Sequence, residues 1–156
     1  MAVVDESGAG AATNGTVAGN EATATEARPY VVPMNFVYVP ATEDSPGRLY
    51  LHTGQGRKSA ALAENPRVCV VAVSDTTFHR GATPCADGYS FRSVIVEGTA
   101  ALVEAPAERE TALRTIVAKY DPVLADAPFD PAVLAQTLIY AIVVETITYK
   151  ERLPRV

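Results

Sequence analysis

The sequence predicts a mainly β fold, a small antiparallel barrel with a few inserted helices. Stretches rich in Val, Ile, Tyr, Phe and Thr recur at 30–39, 48–53, 67–73, 89–103 and 138–149. Such residues pack well on a pleated surface. Between them lie clusters of Gly, Pro, Asp, Asn and Ser that act as turns. Only a few short windows carry helical spacing, so strands dominate.

A chain of 156 residues suits one domain with a sizeable core. With 48% hydrophobic and 20% charged residues the balance is globular. A net charge of −5 and the lack of a basic stripe argue against nucleic acid as a partner. No apolar run reaches membrane-spanning length, so no membrane partner is expected. The N-terminus lacks the basic start and apolar core of a secretion signal. Cys69 and Cys85 form no CxxC pattern; Cys69 reads as a core residue in VCVVAV and Cys85 as a loop thiol. A cytoplasmic location is the expectation.

Residues 1–20, mostly Ala, Gly, Val, Thr and Asn, read as a flexible leader, and 21–156 as a single domain. EATATEA at 21–27 reads as a short, weak strand. The strand expected at 30–39 contains Pro33, which cannot donate to a ladder and marks an edge or bulge. PATEDSPG at 40–47 turns the chain into strand 48–53, giving a hairpin. RVCVVAV at 67–73 is apolar on both faces, as in a central strand. Residues 74–88 read as a long loop. Gly98 marks a bulge in strand 89–103. Pro106 opens a helix with Glu108 and Glu110 near its start and Lys119 near its end. Leu113, Ile116, Val117 and Tyr120 make its apolar stripe, and Asp121-Pro122 ends it. Asp130-Pro131 caps a further turn or two before the last strand, 138–149.

LYLHTGQGRKSAALAENP at 49–66 is the stretch with chemistry in it. A strand ends, Gly54 and Gly56 turn the chain, and a helix opens with Arg57 and Lys58 in its first turn. Cations are unfavourable there, because the helix dipole puts partial positive charge at the same end. A docked anion removes the conflict, and free backbone N–H groups beside two cations make a phosphate cradle. An isolated GxGRK is more often a solvated pair beside an ordinary turn, so its neighbours decide.

YVVPMNFVY at 30–38, LYLHTGQGRKSAALAENPRVCV at 49–70 and YSFRSVIVEG at 89–98 together resemble the pyridoxamine 5′-phosphate oxidase-like flavoproteins, in particular the nitroimidazole-resistance branch. The resemblance covers residues 28–104 well and the rest by element order. It implies a six-stranded antiparallel split barrel of Greek-key type that pairs into a homodimer, with FMN in a cleft at the interface. It also implies a more apolar first strand than 21–27 supplies. By the resemblance, Arg57 and Lys58 hold the flavin phosphate. The backbone of Val32, Pro33, Met34 and Asn35 lies along the ring. His52 and Thr53 sit beside ring and phosphate, and Ser93 and Val94 contact the cofactor from a neighbouring strand. Within it His52 is the candidate proton relay.

Other constellations are weaker. His52, His79, Cys85 and Asp87 fit no metal-ligand spacing, so no metal is expected. Ser93 has no nucleophile elbow around it. Glu97 and Glu145 read as barrel-face charges, Tyr30 and Tyr38 as packing residues. The leading expectation is an FMN-dependent oxidoreductase acting on a small electrophile such as a nitro-aromatic compound. The alternatives are a deazaflavin-dependent reductase on the same fold and a flavin-binding protein without turnover.

Overall fold

The computed structural model describes residues 2–5 and 30–153. Among them, strands β1 (Ala2–Asp5), β2 (Tyr30–Pro33), β3 (Phe36–Val39), β4 (Arg48–Thr53), β5 (Arg67–His79), β6 (Gly88–Leu102) and β7 (Leu138–Arg152) form one antiparallel sheet. Its order is β2-β1-β5-β6-β7-β4-β3. Helix α1 (Arg57–Glu64) links β4 to β5, while α2 (Pro106–Tyr120) and α3 (Pro131–Gln136) fill the passage from β6 to β7. None of these helices is long and apolar enough to cross a membrane.

The order itself explains the shape. β2 and β3 stand at opposite ends of the sheet, yet only Met34 and Asn35 separate them in the chain. The sheet therefore curls until its two ends meet. Counted as one broken strand, β2 and β3 make the barrel six-stranded, as expected. The sequence predicted one strand over 30–39 with an edge or bulge at Pro33, and the structure divides it into two after that proline. Pro33 has no N–H to continue the ladder, and the chain changes partner there, from β1 to β4.

The core follows from alternation along the strands. Leu49 and Leu51 of β4, Val68 and Val70 of β5, Val96 and Ala100 of β6, and Tyr140 and Ile142 of β7 are buried together with Leu62 of α1. Each buried Leu, Ile or Val contributes about 1.5–3 kcal/mol. Ile139, Ala141, Val103 and Ala112 form a second cluster beneath α2. Gly98 sits at the predicted bulge, where the β6–β7 register shifts. A Cβ at Gly98 would run into the carbonyl oxygen of Val143, so close backbone approach requires glycine there. Asp130 caps α3 as predicted, its Oδ1 accepting from the Ala132 N–H at 2.8 Å.

Three expectations are corrected. Ala2–Asp5, assigned to a flexible leader, form a strand between β2 and β5. The weak strand expected at 21–27 lies outside the described residues, as does the rest of the leader. The loop expected over 74–88 is shorter than that: β5 continues to His79, with a register shift between Ser74 and Thr77, and β6 begins at Gly88, leaving 80–87 as the connection. Asp75 takes φ 53 at that shift. Tyr120, placed in the apolar stripe of α2, is exposed and turns its hydroxyl to Phe36, while Ala112 and Ile116 carry the buried face.

Candidate functional site

The turn between β4 and α1 is built for close approach. Gly56 has φ 156 and ψ −163, a region open essentially to glycine alone. The Ser59 hydroxyl accepts from the Gly56 N–H and donates to the Gly56 carbonyl, each at 2.9 Å. This local pair pins the helix start. The N–H groups of Arg57, Lys58 and Ser59 have no intrahelical acceptor, because they belong to the first turn.

Both cations reach back to the broken strand. The Arg57 guanidinium carbon lies 4.1 Å from the centroid of the Tyr30 ring. Lys58 Nζ lies 2.6 Å from Met34 Sδ. No carboxylate among the described residues pairs with either cation. Burial lowers the Lys58 pKa from its ordinary value. His52, on β4, is half-buried, and its Nδ1 is enclosed with no hydrogen-bond partner. Burial, and secondarily the Lys58 charge, push its pKa down, which favours neutral imidazole. A buried ring nitrogen without a partner is costly unless a ligand supplies one.

Of the predicted site residues, the structure gathers Met34, Arg57 and Lys58, with His52 near Lys58. Thr53 follows His52 and donates its hydroxyl to the Gly54 carbonyl at 3.1 Å. Val32 and Pro33 end β2 and Asn35 follows Met34 in the break before β3; Pro33 and Asn35 are exposed, Val32 half-buried. Ser93 and Val94 lie elsewhere in the chain. His52 pairs with Ile139 and Ser93 with Lys150, near opposite ends of β7. Val94 packs against the core, and Ser93 donates to the Lys150 carbonyl at 3.3 Å.

Tyr30, read from the sequence as packing, stands under Arg57. Strand alternation was a usable signal, since Tyr30, Val32 and Met34 fall on one face if the strand is regular. Lys119 was also missed: its Nζ donates to the Phe36 carbonyl at 2.8 Å. Two surface clefts, of about 360 Å³ beside Cys69 and Glu97 and about 230 Å³ beside Ser90 and Arg92, include none of the predicted site residues.

A family model described as pyridoxamine 5′-phosphate oxidase matches residues 16–151. The chain belongs to the pyridoxamine 5′-phosphate oxidase family. Among solved structures, its fold is similar to that of a proposed 5-nitroimidazole antibiotic resistance protein from Bacteroides thetaiotaomicron, at 22% identity and TM-score 0.66, covering 95% of this chain and 74% of that one. It is also similar to a flavocytochrome from Azotobacter vinelandii, at 20% identity and TM-score 0.68, covering 98% and 62%. A third is an FAD and heme binding protein from Mycobacterium smegmatis, at 17% identity and TM-score 0.70, covering 96% and 63%. The chain thus spans about three quarters of the first and slightly less than two thirds of the other two. These likenesses support the split-barrel fold for this family member. No curated protein matches the chain.

Proposed function

We propose that this family member binds FMN and works as an oxidoreductase on a small electrophile, with nitro-aromatic compounds the first class to test. The observation that carries the reading is the junction of β4 and α1. There the helix opens with two cations that have no carboxylate partner among the described residues, beside first-turn N–H groups, and β4 carries His52, whose Nδ1 is orphaned.

The donor set fits a flavin mononucleotide. Arg57 and the first-turn N–H groups suit a phosphate, which takes charge-assisted bonds from several directions. The Met34–Asn35 break leaves peptide groups outside the strand ladder, available to the polar edge of a ring. Bound FMN would supply the electron-pair transfer. The chain's own part is to hold the phosphate, orient the ring and offer His52 as a neutral proton acceptor beside it.

A homodimer belongs to this reading. Arg57, Asn35 and Pro33 are exposed, so one copy offers one wall of a cleft. The outer parts of β5 and β6 expose Val73 and Ile95 on one face of the sheet, an apolar area suited to a second copy. Ser93 lies in that area, so pairing would let it contribute to the partner's cleft. A cytoplasmic place of action goes with the reading.

The test is spectroscopic. Protein reconstituted with FMN should show both flavin bands, bleach with a nicotinamide donor under anaerobic conditions, and recover colour with a nitro-aromatic acceptor. Light scattering should give twice the chain mass. Binding only a deazaflavin, or binding FMN without bleaching by any donor, would replace the proposal with one of its alternatives.

A further inference from the structure

We infer that Tyr30 is a positioning residue for Arg57, and that the pair selects a phosphorylated ligand over its unphosphorylated form. The inference rests on the proposed phosphate cradle and adds a residue to it.

The stacking leaves the useful part of the guanidinium free. A cation over an aromatic ring is attracted through its face. The five N–H donors of arginine lie in its plane and point outward from the edges. The guanidinium carbon lies 4.1 Å from the ring centroid, a distance at which a parallel stack covers one face of the group and leaves its edges open. The Arg57 guanidinium has no protein acceptor among the described residues, so its donors are available to a ligand. A long exposed side chain otherwise samples many rotamers, and ordering it on binding costs affinity. Stacking on Tyr30 meets part of that cost in advance.

The contact also crosses the closure of the barrel. Tyr30 begins β2, at one end of the sheet order, and Arg57 follows β4, next to the other end. Lys58 makes a parallel contact to Met34 four residues on. The two cations therefore grip the same broken strand at two points. Tyr30 fixes the plane of the outer one, Arg57, whose side chain is exposed while Lys58 is half-buried.

The test measures FMN and riboflavin affinities for wild type, Tyr30→Leu, Tyr30→Phe, Tyr30→Trp, Arg57→Ala and the Tyr30→Leu/Arg57→Ala double variant. Tyr30→Leu should weaken FMN about three- to tenfold and leave riboflavin unchanged, while Phe and Trp hold FMN within about twofold. In the Arg57→Ala background, Tyr30→Leu should add nothing. Equal losses for both ligands, or full additivity in the double variant, would overturn the inference. If Arg57→Ala weakens FMN and Tyr30→Leu does not, this inference falls and the phosphate cradle stands. If Arg57→Ala has no effect on FMN, both fall. Wild-type protein gives a check that needs no variant to fold: the Arg57 Hε resonance should be shifted upfield by the Tyr30 ring. A random-coil position for that proton would equally overturn the pairing.

Discussion

The Tyr120 hydroxyl meets both peptide groups of Phe36, accepting from its N–H at 3.1 Å and donating to its carbonyl at 3.2 Å. The end of α2 thereby closes the free edge of β3 immediately after the Met34–Asn35 break. Lys119 adds a bond to the same carbonyl at 2.8 Å and lies 3.7 Å over the Phe36 ring. The helix thus holds the strand on which the candidate site rests.

Tyr120→Phe removes the hydroxyl and keeps the ring. Each of these hydrogen bonds is worth about 0.5–1.5 kcal/mol net, less where water competes, so urea unfolding should show a loss of about 1 kcal/mol. Amide exchange at Phe36 should quicken in the variant. Unchanged exchange there would show that the hydroxyl does not hold the edge.

Arg57→Ala should weaken FMN binding by roughly ten- to a hundredfold, from about 1.5–3 kcal/mol for hydrogen bonds to a charged group. Arg57→Lys should recover only part, because lysine lacks the planar fork. Riboflavin affinity should hold. Flavin fluorescence quenching measures both ligands; equal losses would mean general damage rather than a lost phosphate contact.

His52 gives a pH dependence of definite sign. Its folded pKa lies below the ordinary 6.5, so at acidic pH the unfolded state binds more protons than the native state. Stability of the empty protein should therefore fall as pH drops through about 6.5 and level off above it. His52→Gln should flatten that slope in denaturation curves at pH 5 to 8. A slope identical in the variant would place the titration elsewhere.

Gly98→Ala tests the bulge. Its methyl would meet the Val143 carbonyl, so β6 or β7 must shift. Overpacking of this kind costs about 1–3 kcal/mol, read as a lower thermal midpoint. A midpoint equal to wild type would show that the strands yield there without strain.

Removal of residues 1–5 tests the first strand. The deletion unpairs β2 and β5 along the edges that Ala2–Asp5 cover. Several ladder bonds at about 0.5–1.5 kcal/mol each should bring the loss to about 2 kcal/mol or more. Aggregation should rise with the newly open edges. Unchanged stability and solubility would return the segment to the flexible leader first read from its composition.

Local pattern was enough for most of the elements. Alternation in RLYLHT and the apolar run VCVVAV marked β4 and β5 because side-chain period and residue type act within a strand. Pro106, Asp121-Pro122 and Asp130-Pro131 marked helix ends because caps and proline act within a few residues. Gly54, Gly56, Arg57 and Lys58 marked the candidate phosphate site for the same reason. What only the tertiary structure decided was partnership. Nothing local shows that Tyr30 lies under Arg57, that Tyr120 leaves its stripe for Phe36, or that Glu108 accepts from Arg48 and Tyr50 across 60 and 58 residues of chain. The leader misled for a related reason. Four residues can join a sheet through backbone bonds alone, and those bonds leave no signature in the side chains that composition reads. Barrel closure is likewise a property of strand order, which brings β2 and β3 together from opposite ends of the sheet.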